Sequence, residues 1–276
     1  MVGCYDGALY LIRAATGDVV SKVQTADAVK SSPCIDPSTG TIFFGSHDGC
    51  LYAVTEGSWA LAWHCNVAQA VQGPHATASA VFSSVTVDDV RRHVVCATLS
   101  GIVAAISIDS HNVVWSAQLP GAVFSSPLVH APSGSVIVGC TDHRIYCVDR
   151  GAITWSFQTS APVFSTPVHA TSGQETVAVI GSHDTHVYCI ALDGRQLWSY
   201  AVGSAVASAP AVVGCGDNVQ FIVAGSDGRI VQLDWDGLLV RELRLPGPVY
   251  ASPVVAPDGS GVVVGCRDDR VYFVSC

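Results

Sequence analysis

Residues 123–155 hold the decisive pattern: Val123-Phe-Ser-Ser-Pro127, then Val138-Gly-Cys-Thr-Asp142, then Ile145-Tyr-Cys-Val-Asp149, and finally Trp155. The first of these returns as Val29-Lys-Ser-Ser-Pro33, Val81-Phe-Ser-Ser-Val85, Val163-Phe-Ser-Thr-Pro167, Val206-Ala-Ser-Ala-Pro210 and Val249-Tyr-Ala-Ser-Pro253. Between 19 and 21 residues after each of those valines stands a Gly-x-x-Asp type of turn between two apolar runs, one residue shorter at Gly225-Ser-Asp227. Its carboxylates are Asp48, Asp142, Asp184, Asp227 and Asp268, with Asp6 ahead of the series and Ser100 standing in once. Trp63, Trp115, Trp155 and Trp198 follow the turn by 13 to 15 residues. We read the valine segment as strand A, the run before the turn as strand B, the run after it as C, and the Trp segment as D. Asp-Gly at 6–7, 48–49 and 227–228 suits a tight hairpin, where central residues need positive φ.

A unit of about 42 residues carrying four short strands has the length of a propeller blade. The runs are β-branched, three to five residues long and bounded by Gly, Asp and Ser, as expected of strands buried on both faces. One such sheet cannot hide both of its faces, so neighbours must. The sequence therefore predicts an all-β chain, a single β-propeller domain of about seven four-stranded blades. Their limits fall near 1–25, 26–68, 79–119, 120–159, 160–202, 203–245 and 246–276. The small residues of strand A are expected to fit a crowded axis, and the Asp and Trp of each copy are read as turn and packing residues. Six copies of A and D stand against seven of B and C, so the first and last blades are incomplete and a fragment is expected.

The formal charge is −9, with Lys22 and Lys30 as the two lysines and no basic cluster. Such a surface repels phosphate backbones and anionic lipid, so neither nucleic acid nor membrane is an expected partner. The 11 cysteines include no C-x-x-C pair. Several recur at fixed repeat positions, Cys4, Cys140 and Cys266 after Val-Gly and Cys147 and Cys189 after Tyr, as small apolar strand residues would. A disulfide framework belongs to shorter secreted chains. With no signal-like N-terminus, a reducing, cytoplasmic setting is expected.

Phe-Ser-Ser-Pro, Val-Gly-Cys-x-Asp, Ile-Tyr-Cys-Val-Asp and Gly-x-x-x-Trp together resemble the pyrroloquinoline-quinone (PQQ) type propeller repeat over the whole chain. Within that class, Asp27-Ala-Val-Lys-Ser-Ser32, Phe44-Gly-Ser-His-Asp48, Gly181-Ser-His-Asp184 and Val264-Gly-Cys-Arg-Asp268 are similar to one family. It is the C-terminal propeller of β-alanine-activating enzymes, also called aminoadipate-semialdehyde dehydrogenases or acyl-CoA synthetase family members. The resemblance implies an adenylation domain and a phosphopantetheine carrier domain upstream, as partners in the parent chain or another protein. It also implies ATP-dependent activation of an amino acid and its loading as a thioester. None of that chemistry maps onto residues of this chain.

The alternative is a PQQ-dependent dehydrogenase or other cofactor-binding propeller. Enzymes of that class hold their quinone against adjacent cysteines and calcium, and no adjacent cysteines occur here. The sequence also lacks G-x-S-x-G, a phosphate loop, H-E-x-x-H and G-x-G-x-x-G. No catalytic, cofactor or metal residue is therefore assigned. A binding face is the better expectation. The B–C turns and D–A connections share one side, and Trp63 to Val81 spans 18 residues against 8 in the other copies. Long loops on rigid scaffolds carry function. The candidate partner-binding residues are His47, Asp48, His75, His183 and Asp184, with the extra loop placed around Gln69–Ser79.

Overall fold

Each repeat forms its own antiparallel sheet. A computed structural model describes residues 1–275, the side chain of Asp217 excepted. Two compact units divide the chain, Met1–Val136 with Val148–Thr154, and Ile137–Cys147 with Trp155–Cys276. The first contains sheet I (Val2–Gly3, Ala8–Ile12, Val19–Gln24) and sheet II (Cys34–Ile35, Ile42–Gly45, Cys50–Val54, Leu61–Asn66). It also contains sheet III (Thr86–Asp88, His93–Ala97, Ile102–Ser107, Val113–Gln118). The second contains sheet V (Val168–Ser172, Glu175–Gly181, His186–Ala191, Gln196–Ala201) and sheet VI (Ala211–Val213, Gln220–Ala224, Arg229–Leu233, Leu239–Arg244). Its last is sheet VII (Val254–Val255, Gly261–Cys266, Arg270–Ser275). Sheet IV (Leu128–His130, Ser135–Cys140, Arg144–Asp149, Ala152–Gln158) has residues in both units. Among the described residues, five sheets thus have four strands and two have three, each in plain sequence order.

In the four-stranded sheets, strands B and C are buried along nearly their whole length, and D alternates between exposed and half-buried. The two faces of one sheet serve two cores. In sheet II, Phe43, Leu51 and Ala53 pack with Val94, Ile102 and Ile106 of sheet III. Ile42, Phe44, Tyr52 and Val54 pack with Leu9 of sheet I. Phe43 and Phe44 are both fully buried, on opposite faces, as the two-residue strand period requires. Each such burial contributes about 1.5–3 kcal/mol, which is why these runs show no polar alternation. A register shift recurs next to the C–D turn in sheets I, II, III, V and VI, and it falls immediately after the Trp pairs Ala53–Trp63, Ala105–Trp115 and Cys189–Trp198. Bulges bend a strand and re-aim its side chains.

Strand A lies later in each repeat than the sequence pattern predicts. Residues 123–127 and their counterparts are irregular, and the strand proper begins beyond them, at Leu128 in sheet IV and Val168 in sheet V. The motif's proline has no N–H to give a ladder, and its serines replace the ladder bonds. Ser31 and Ser165 Oγ accept from the strand-B amides of Gly45 and Gly181, each at 3.1 Å. The serines are therefore hydrogen-bonding residues as well as small ones.

The long connection after Trp63 also differs from a plain loop. Val67–Gln72 form a short helix capped by Asn66, whose Oδ1 accepts from Gln69 N at 3.0 Å, with Gly73 at its end. Val67 and Ala68 are buried in the core between sheets II and III. The helix is a plug in that core, and the exposed part of the connection shrinks to the residues after Gly73.

Candidate functional site

Consecutive blades are joined at the B–C turn side by a valine seam. Val29, Val81, Val163 and Val206 donate their amides to Cys4, Ser46, Cys140 and Ser182 O of the preceding sheet, at 2.9–3.1 Å. The residue before the valine accepts from the blade's own B–C turn: His47 N bonds Ala28 O and His183 N bonds Pro162 O. The valine side chain sits where strand B has its glycine. A Cβ on Gly139 or Gly181 would stand 2.3 or 2.2 Å from Val163 or Val206 Cγ1. Close approach is thus why the Val-Gly pair repeats. A second chain of bonds runs beside it, as Ser84 Oγ accepts from Ser32 N and Ser126 Oγ from Ser84 N.

The turn carboxylates are hydrogen-bonded into this frame. Asp48 Oδ1 accepts from Cys50 N at 2.9 Å, and its Oδ2 accepts from Tyr52 OH at 2.6 Å and Ala26 N at 3.0 Å. Asp184 repeats the set with His186 N, Tyr188 OH and Ser160 N. Asp142 and Asp268 keep the tyrosine bond, from Tyr146 and Tyr272, and each leaves Oδ1 buried without a hydrogen-bond partner. Asp6 bonds Tyr10, and Asp227 replaces the tyrosine with Ser204 and an ion pair to Arg244. Burial first, then the Asp partner, pushes the Tyr52 and Tyr188 hydroxyls above the usual phenol range. This Asp-to-Tyr bond four residues on is written in the sequence as Asp-x-x-x-Tyr, a spacing that carries no local structural signal by itself.

His47 and His183 both stand beside the seam against an aromatic of strand A. His47 lies 5.7 Å from the Phe82 ring and His183 4.5 Å from Phe164. Burial lowers both imidazole pKa values, aided at His47 by the charge of Lys30. His47 Nε2 is buried and unpaired. Lys30, which replaces the aromatic, lies 4.8 Å over the Tyr5 ring and 5.5 Å over Phe82, a cation–π contact rather than a solvated charge. A cavity of about 640 Å³ opens here, lined by Tyr5, Lys30, Ser31, Ser32, Ile35 and Phe82. His75 is exposed in the connection after the helix. In the first unit Ala78 and Ser79 of that connection pass over Gly49, so the His47-Asp48 turn and the connection are neighbours. His75 itself has no contact with either residue among the hydrogen bonds and ring pairs described.

On the C–D turn side the tryptophans cover the next blade. Trp155 Nε1 donates to Leu192 O and Trp198 Nε1 to Trp235 O, both at 2.8 Å, and Trp63 stacks on His111 at 4.7 Å. The ten described cysteines are free thiols. Burial pushes Cys34, Cys50 and Cys189 up to about 12, which makes them packing groups rather than nucleophiles. Among the described residues no three His, Cys, Asp or Glu side chains converge, and no helix is long and apolar enough to cross a membrane.

A family model described as "Beta-alanine-activating enzyme, beta-propeller" matches residues 1–276. The chain belongs to the β-propeller family of β-alanine-activating enzymes. The β-alanine-activating enzyme of Drosophila melanogaster is 26% identical over 99% of this chain and 28% of its own length. The Homo sapiens enzyme of that name is 34% identical over 54% of this chain and 13% of its length. The chain thus spans about a quarter or less of these relatives. Among solved structures, the computationally designed Ika8 protein superposes with a TM-score of 0.77 at 18% identity, covering 99% of this chain and 79% of that one. The WD40 β-propeller domain of Doa1 gives 0.69 at 16% identity, covering 98% and 86%. The all-β propeller fold read from the repeat is therefore the fold of this β-alanine-activating-enzyme propeller.

Proposed function

We propose that this propeller is a non-catalytic interaction module of an ATP-dependent, amino-acid-activating enzyme, and that it meets the adenylation and carrier domains. The observation that supports the reading is the use of the repeat's reactive groups. Asp48 and Asp184 accept three hydrogen bonds each, and the buried thiols are held protonated. What stays available is a binding surface: the His47-Asp48 turn with the His75 connection in the first unit, and the His183-Asp184 turn in the second. Free thiols at repeat positions support a reducing, cytoplasmic setting for the parent enzyme.

The test uses a full-length relative. Residues corresponding to 74–79 are replaced by a Gly-Ser link, which leaves the buried helix intact. We expect ATP–pyrophosphate exchange to be unchanged and carrier loading to fall several-fold. Unchanged loading would overturn the placement of the binding surface. Substrate turnover by the propeller alone would overturn the non-catalytic role.

A further inference from the structure

The tryptophan seam has one seat that the chain does not fill. Trp155 and Trp198 are covered in the same way by the C–D turn of the following sheet. The turn glycine lies on the indole, where a Cβ on Gly194 or Gly237 would stand 2.8 or 2.5 Å from the ring. The carbonyl two residues before that glycine, Leu192 or Trp235 O, accepts the indole N–H. Both turns read apolar-Asp-Gly: Leu192-Asp193-Gly194 and Trp235-Asp236-Gly237.

Trp115 faces the turn Asp149-Arg150-Gly151, which is one residue shorter. Five residues separate Tyr146 from Gly151, against six from Tyr188 to Gly194 and six from Val231 to Gly237. Arg150 and Gly151 take φ of 48° and 85°, a tight reversal. The shortened turn draws back, and Gly151 approaches Trp115 at its Cβ, where a glycine Cβ would be 3.5 Å away. The Trp115 indole N–H has no hydrogen-bond partner among the described residues. A groove of about 310 Å³ stands in place of the missing turn, lined among others by His93, Val114, Trp115, Asp149 and Arg150. Asp149 Oδ1 is buried there without a hydrogen-bond partner, 4.0 Å from Arg150 Nε. Arg150 is otherwise free, with its side chain 84% exposed.

We infer that this groove binds a peptide turn of apolar-Asp-Gly sequence from a partner protein, which seats its glycine on Trp115 as the chain's own turns do at Trp155 and Trp198. The guest carbonyl two residues before the glycine accepts the Trp115 N–H. The guest aspartate meets the exposed Arg150. The guest is a protein loop, because the groups left open are those a backbone turn satisfies elsewhere in the same molecule. This inference is independent of the surface proposed above.

The experiment is ¹⁵N NMR of the whole chain, following the tryptophan indole resonances during titration with the peptide Ala-Leu-Asp-Gly-Arg-Gln. The Trp115 resonance is assigned from Trp115→Phe. We expect a saturable downfield shift of Trp115 at millimolar peptide, with Trp155 and Trp198 unmoved. Replacing the peptide's Gly by Val should weaken binding at least tenfold. Inserting a Leu between Val148 and Asp149 restores the turn length and should abolish binding. Should the insertion variant fail to fold, Arg150→Ala serves instead and should weaken binding several-fold. No shift at Trp115, equal shifts at all tryptophans, or equal affinity for the Gly and Val peptides would overturn the inference.

Discussion

The valine seam and the tryptophan seam hold the same sheets together on different terms. At the valine seam, the junctions at Val29, Val81, Val163 and Val206 use the same amide-to-carbonyl bond, and Gly3, Gly45, Gly139 and Gly181 of strand B lie under the incoming valine with no room for a methyl. At the tryptophan seam the same residue is covered by a histidine ring at Trp63, by a turn carbonyl and glycine at Trp155 and Trp198, and by neither at Trp115. The first seam sets the spacing of these sheets and repeats one solution at those four junctions. The second fills a wider gap and accepts several, so loss of one turn residue opens a groove without disturbing the fold.

The ion pair that reinforces the tryptophan side of sheets II and III should give the largest effect. Arg92 Nη1 lies 2.7 Å from the fully buried Asp36 and Nη2 3.3 Å from Asp109. Arg92→Ala leaves the buried Asp36 without its cationic partner, though Ser38 and Thr39 still donate to it, and urea denaturation should show the largest loss of stability among these variants. Burial opposes ionisation of Asp36, but hydrogen bonds from Thr39, Arg92 and Ser38 prevail and hold its carboxyl below the usual range. A folded pKa below the unfolded value of about 3.9 means this stabilisation is complete above that pH and lost as pH falls through the folded pKa. The acid limb of the stability curve should therefore be shallower in Arg92→Ala.

The two kinds of tryptophan seat can be ranked next. Trp198→Ala removes ring packing and the bond to Trp235 O and should cost about 3–4 kcal/mol. Trp115→Ala should cost less by at least about 1 kcal/mol, the net worth of the hydrogen bond its seat lacks. Equal losses would mean that the groove is not an energetic difference. Smaller again, Tyr188→Phe removes one bond to Asp184 and should cost about 1 kcal/mol.

The sequence made the sheets legible because B and C are buried on both faces in the four-stranded sheets and keep their apolar runs in every copy. The turn aspartates and the tryptophans stood at constant offsets for the same reason. The position of strand A was less legible. Val-aromatic-Ser-Ser-Pro looks like a strand by composition, and nothing local shows that its serines bond strand B in place of a ladder. The helix at Val67–Gln72 left a readable signal, Asn66 before it and Gly73 after it, but its length is well below that of helices which reveal themselves by periodicity. For the candidate surface, the sequence brought out His47, Asp48, His183 and Asp184 as residues of one repeated turn. It did not show that tyrosine and a backbone amide already occupy those carboxylates. The groove at Trp115 was written as a one-residue difference in turn length, which gains meaning once the other turns are seen lying on their tryptophans.

The most direct measurement is a double-mutant cycle on Gly181 and Val206, read by equilibrium denaturation. Gly181→Ala alone should cost about 1–3 kcal/mol, because the new methyl meets Val206 Cγ1. If the valine seam is a knob seated on a glycine, Val206→Gly, which removes both Cγ1 and the Cβ that would stand 2.6 Å from the new methyl, makes room for it. The double variant should then be less damaged than the sum of the single losses by at least about 1 kcal/mol. Losses that add to within about 0.5 kcal/mol would contradict the seam.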